Sequence, residues 1–123
     1  MSKQISSSTR YAVYNRDDWQ CVHCGTTQGL SIQHRINRGM GGSKRRDSLS
    51  SLITLCAISN QRLESDAQFA QIGRYYGWKL NSYENPENEP VYYAPKDAWY
   101  TLDNKGEMKE TSPVEVHKED VPF

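Results

Sequence analysis

No stretch of this chain approaches the ~20 consecutive apolar residues that span a bilayer, which excludes a transmembrane helix and argues against a membrane partner. Met1 to Arg10 is rich in serine and lacks the apolar middle of a secretory signal, so the expected location is the cytoplasm. Hydrophobic residues are also scarce, at 36% of 123 positions with a mean hydropathy of −0.85. One ordinary domain this polar buries only a modest core, so a bound metal would help to hold it. There is no internal repeat. Three cysteines in a cytoplasmic chain speak for metal binding or catalysis before disulfides. Net charge is absent too, but only on average. Residues 1–62 carry nine basic and three acidic side chains, a net of +6, and residues 63–123 carry six and twelve, a net of −6. A basic first half suggests an anionic partner such as nucleic acid, while two balanced solvated faces would look the same.

Punctuation along the chain gives its organisation. Residues 1–8 read as a flexible arm. Ser7 or Ser8 caps a short helix to about Arg16, which Asp17-Asp18 ends. Cys21-Val22-His23-Cys24-Gly25 forms a tight knuckle. Leu30-Ser31-Ile32-Gln33-His34 alternates as a strand does. Gly39-Met40-Gly41-Gly42-Ser43 is too glycine-rich for an element interior. Leu52-Ile53-Thr54-Leu55 is a second strand. A helix is expected from Ser59 to Tyr76, with Gly77 as its C-cap. Val91-Tyr92-Tyr93 and Trp99-Tyr100-Thr101-Leu102 flank Pro95-Lys96-Asp97 as a hairpin. Trp78, Tyr92, Tyr93, Trp99 and Tyr100 are expected to pack that hairpin against the helix rather than to stack on bases. The polar, acidic residues 107–123 are expected to be a disordered tail.

Cleaving a phosphodiester needs a base to activate water and a cation to stabilise charge on the phosphate. His34 is the one histidine on an expected core element, and a neutral imidazole takes a proton near pH 7. Arg35, Arg38, Lys44, Arg45 and Arg46 follow it with no acid before Asp47. Such cations neutralise phosphates, and glycine amides among them permit close approach. Taken alone, a strand histidine is more often structural and a basic loop more often merely solvated. Side by side, they favour phosphate chemistry.

The order of knuckle, histidine-bearing strand, glycine-basic loop, strand, cysteine and helix resembles the cysteine-containing branch of the HNH (His-Asn-His) nuclease family. Residues 10–77 carry the resemblance, most specifically Ile32-Gln33-His34-Arg35 with Arg38-Gly39-Met40-Gly41-Gly42-Ser43, then Leu55-Cys56 and the helix. It is nearest to the small HNH proteins of bacteriophage genomes. The resemblance implies an α+β, ββα-metal domain over residues 9–80 with a zinc-knuckle-like cysteine loop. Residues 81–106 would add a loop and C-terminal β-hairpin packing on the same domain. It also implies that His34 is the general base, that Ser51 stands where an asparagine orients that base, and that Asn60 stands where the last histidine binds metal. Of the three name-giving positions only the first keeps its residue. Gln33 replaces the usual ligand before His34, and Glu64 lies one helical turn beyond Asn60. Gln33, Asn60 and Glu64 are thus the candidate holders of Mg²⁺ or Mn²⁺.

In the family a second cysteine pair completes a structural zinc site. Here the counterpart is Cys56-Ala57-Ile58-Ser59, so Cys21, Cys24 and Cys56 are candidate zinc ligands without a fourth thiol, and His23 is a candidate substitute. The alternative is that the cysteines are buried as small apolar groups. Two functions follow. One is a metal-dependent, phage-encoded DNA endonuclease in the host cytoplasm. The other is a catalytically degenerate HNH-fold protein that binds DNA or a host protein as regulator or inhibitor.

Overall fold

Ser6 opens the first helix. Its backbone is extended and its Oγ accepts from the amide of Thr9, satisfying one of the orphan donors of a helix start. In the computed structural model, which describes residues 5–36 and 47–112, this helix, α1, is Ser7–Arg16 and buries Val13 and Tyr14. The expected arm at residues 1–8 therefore yields Ser7 and Ser8 to α1. Asp17 ends the helix with a buried carboxylate. It accepts from Arg16 Nε at 2.8 Å, from the Tyr93 hydroxyl at 2.6 Å and from the amide of Thr54 at 3.0 Å. One side chain thereby ties α1 to two elements far along the chain.

The strands β1, Leu30–His34, and β2, Leu52–Cys56, pair antiparallel, with Leu30 opposite Cys56 and His34 opposite Leu52. Every residue of β2 is buried, as its near-continuous apolar run requires. β2 passes without a loop into α2, Ala57–Ser65, because Cys56 is both the last strand residue and the helix N-cap. The single helix expected over Ser59–Tyr76 is in fact two. Asp66 leaves the helical region (φ −115°, ψ 105°), and its carboxylate caps α3, Ala67–Tyr75, by accepting from the amides of Gln68 and Phe69. Aspartate competes for backbone donors more effectively as a cap than it supports a helix interior. Gly77 then takes φ +78° behind α3, the left-handed conformation of a helix stop. A side chain there would meet the Pro90 carbonyl oxygen at 2.0 Å.

The expected hairpin is present as β3, Val91–Tyr93, and β4, Ala98–Leu102. A third strand, β5, Met108–Thr111, pairs with β4, so the tail expected from residue 107 is structured as far as residue 112. The turn explains the correction. Asp103 Oδ1 accepts from the amides of Lys105 and Glu107, and Gly106 supplies a positive φ of 90°, which folds a polar segment back onto an edge. Residues 1–4, 37–46 and 113–123 lie outside the described residues.

The described residues thus form a mixed α+β fold of three α-helices and two small antiparallel sheets. Both sheets feed one core. Val22, Ile53 and Leu55 from the first half pack with Leu63, Trp78, Val91 and Tyr93 from the second. Trp78, Tyr93 and Trp99 are buried, in the packing role expected of them. Among the described residues no helix is long and apolar enough to cross a membrane.

Candidate functional site

Two chemically distinct clusters flank the β1–β2 hairpin. The first is at the junction of β2 and α2. Gly25, with φ +79°, and its amide bond to the Cys21 carbonyl at 2.8 Å close the Cys21–Gly25 knuckle. The sulfurs of Cys21, Cys24 and Cys56 all lie within 4.8 Å of one another, with Cys24 and Cys56 3.8 Å apart. The three thiols are free. Backbone amides point at two of them: Cys24 N donates to Cys21 Sγ at 3.5 Å, and Ser59 N to Cys56 Sγ at 3.4 Å. Burial pushes the Cys56 thiol up, but its contacts with the Ser59 hydroxyl and amide outweigh that and leave it lowered. Burial raises Cys24, and neighbouring Cys21 adds to the effect. Three convergent sulfurs with amide support can bind a metal ion, as the sequence expected. Among the described residues no other group of three or more His, Cys, Asp or Glu is placed to do so.

The buried Ser59 completes this cluster. Its Oγ lies 3.3 Å from Cys56 Sγ and 2.9 Å from His23 Nδ1. His23 does not reach in among the sulfurs; its ring packs edge-on against Phe69 and Trp78. Burial, helped by Arg62, lowers its pKa below the ordinary 6.5.

The second cluster is the end of β1. His34 Nε2 is 3.0 Å from Asp47 Oδ1, and both side chains are partly exposed. Asp47 was not singled out from the sequence, although its place as the first acid after the basic run was a signal. In the neutral tautomer that donates Nε2–H to Asp47, the imidazole lone pair is on Nδ1.

Arg35 is not a phosphate ligand on the surface. It is fully buried, and its guanidinium donates to the carbonyls of Gly77 at 2.8 Å, Ser50 at 2.8 Å, Pro86 at 3.1 Å and Glu89 at 2.6 Å. Burial, with Arg16 adding to it, pulls this group down to about 9, so it still carries its charge at neutral pH. Arg38, Lys44, Arg45 and Arg46 lie outside the described residues. Ser51 is buried, and its carbonyl accepts from the amide of Arg35, which fixes the strand end next to His34.

Gln33, Asn60 and Glu64 are each engaged separately. The Gln33 amide is buried and donates to the Trp78 carbonyl at 3.4 Å. Asn60 Nδ2 donates to Ser31 Oγ at 2.9 Å and to the Ile32 carbonyl at 3.2 Å. Glu64 pairs with Lys79 at 3.4 Å. No hydrogen bond joins any two of the three. Strand alternation also puts Ser31 and Gln33 on the opposite face of β1 from His34, so α2, reached through Ser31, packs away from the histidine.

Comparison with known proteins adds no relative: no family model, no curated protein and no solved structure matches the chain.

Proposed function

We propose that this chain is an HNH-type nuclease-fold protein that hydrolyses DNA in the cytoplasm of a bacteriophage host, with His34 as general base. The observation that carries the reading is the His34–Asp47 pair at the partly exposed end of β1. A carboxylate on one imidazole nitrogen fixes the tautomer and stabilises the imidazolium that forms when the other nitrogen takes a proton. Here that proton comes from water. The water oxygen bonds to phosphorus, and the bond from phosphorus to the leaving sugar oxygen breaks. Ile36 and Asp47, the residues on either side of the basic segment, are both anchored, Ile36 by a bridge to Leu80 and Asp47 on His34.

The cysteines support a structural zinc in the same domain. Zinc–sulfur bonds of ~2.3 Å give a tetrahedral edge of about 3.8 Å, and Cys24 and Cys56 stand 3.8 Å apart. Gln33, Asn60 and Glu64 do not fit Mg²⁺ or Mn²⁺ in the same way. Their single carboxylate is paired with Lys79, and their two amides are hydrogen-bonded within the chain. That misfit favours the second reading, a degenerate domain that binds DNA, or a host protein, without cutting.

Plasmid nicking with added Mg²⁺ or Mn²⁺ separates the two. Under the first reading His34→Ala loses ~10² to 10⁴-fold in rate, and Asp47→Asn loses part of that, both with unchanged DNA affinity. Undiminished nicking by His34→Ala removes the mechanism. DNA binding by an inert wild type establishes the second reading.

A further inference from the structure

Three sulfurs leave one corner of a tetrahedron open, and Ser59 Oγ lies beside two of the three that bound it. Its Oγ is 3.3 Å from Cys56 Sγ and 3.9 Å from Cys21 Sγ. With zinc–sulfur bonds of ~2.3 Å and zinc–oxygen bonds of ~2.1 Å, the sulfur–oxygen edge of a tetrahedron is about 3.6 Å, between those two distances. The backbone repeats the pattern. Cys24 N donates to Cys21 Sγ, and Ser59 N donates to Cys56 Sγ, each across three residues. Ser59 therefore holds in the second knuckle the place that Cys24 holds in the first. It is 3% exposed, so bulk water has little access to that corner.

His23 supplies what a serine ligand lacks. Its Nδ1 lies 2.9 Å from Ser59 Oγ, and Phe69 and Trp78 wedge the ring in place. When the hydroxyl donates to Nδ1, both oxygen lone pairs are left for a cation. Outer partners of this kind orient and strengthen metal ligands. His23 itself is not among the ligand atoms that cluster within 4.8 Å.

We infer that Ser59 Oγ is the fourth donor of a zinc centre built on Cys21, Cys24 and Cys56, with His23 as its positioning residue. The inference rests on the zinc reading above. Such a centre has three thiolates and a neutral oxygen, so it holds zinc less tightly than four thiolates would and exchanges it more readily.

Titration of the full chain with Zn²⁺ and with Co²⁺ as a spectroscopic stand-in tests it. The wild type is expected to take one equivalent, with the visible bands of tetrahedral cobalt and thiolate-to-cobalt absorption of three bonds. Ser59→Cys should raise that absorption by about a third and tighten binding, as a fourth thiolate does. Ser59→Ala should weaken binding and shift the visible bands. His23→Ala should weaken it by ~10 to 100-fold while leaving the thiolate absorption in place. A Ser59→Ala protein with the affinity and cobalt spectrum of wild type overturns the inference and leaves the three-cysteine zinc site standing. A wild type that takes up neither metal overturns the site and the inference together.

Discussion

Replacing Arg35 distinguishes an internal strut from a surface cation. The guanidinium serves the carbonyls of Ser50, Gly77, Pro86 and Glu89, which belong to three different stretches of chain. Arg35→Ala leaves all four without their donor. A buried carbonyl stripped of its partner costs ~1 to 3 kcal/mol, so even the lower bound gives about 3 kcal/mol for the three buried ones, Glu89 being partly exposed. A whole domain has only ~5 to 15 kcal/mol of stability, so the loss is a large share of it. Arg35→Lys should recover only part, because an ammonium is a compact three-donor group without the planar fork. Urea unfolding followed by tryptophan fluorescence measures both variants, since Trp78 sits in the affected core. A surface phosphate ligand would behave otherwise, with a shift within about 0.5 kcal/mol and a large loss of DNA affinity. That pair of results for the folded Arg35→Ala protein would refute the strut.

Gly77→Ala should destabilise strongly, because a Cβ there falls 2.0 Å from backbone at Pro90 and φ is +78°; a thermal melt shows it. The side-chain bond to Asp97, then burial, raises the Tyr92 hydroxyl to about 12, and burial with Asp17 holds Tyr93 well above 10. Both keep their protons in the folded state after the unfolded chain has lost them, so their contribution is full below pH 10 and is lost as pH climbs past it. Ultraviolet titration should show three of the eight tyrosines ionising late, Tyr76 among them because burial and Tyr75 raise it, and unfolding midpoints should fall above pH 10. If Lys44, Arg45 and Arg46 meet three phosphates of duplex DNA, log affinity should fall against log salt with a slope of about −2.7. Neutralising all three should flatten it, and a salt-insensitive wild type would point to a protein partner.

Much of the fold was legible in the sequence because local signals and burial agreed. Alternation marked β1, continuous apolarity marked β2, and serine preceding Tyr11, Val13 and Tyr14 marked α1, with the cap at Ser6 one or two residues before the expected Ser7 or Ser8. The misses share a cause. Asp66 divides a helical pattern through a cap whose strength shows only once the carboxylate is seen on Gln68 and Phe69. β5 has too few apolar residues to announce itself and exists through its pairing with β4. Arg35 sits in a row of cations indistinguishable by composition, and only the folded chain shows it surrounded by carbonyls. At the candidate site, cysteine spacing located the metal cluster. Ser59 read as a lost ligand, because its identity says little until His23 is seen hydrogen-bonded to it.

The wiring across the core bears on how the polypeptide could be divided. Tyr83 is 82% exposed, in a connection that precedes two of the Arg35 acceptors and the whole second sheet. A backbone cut there would put Asp17, Val22 and Arg35 on one fragment and Tyr93, Ala94 and Glu89 on the other, still joined by the bonds each pair makes. The two pieces would co-elute after limited proteolysis and separate only in denaturant. Expressed apart, the two pieces are expected to reassemble through the same bonds, and mixing them followed by size exclusion checks it.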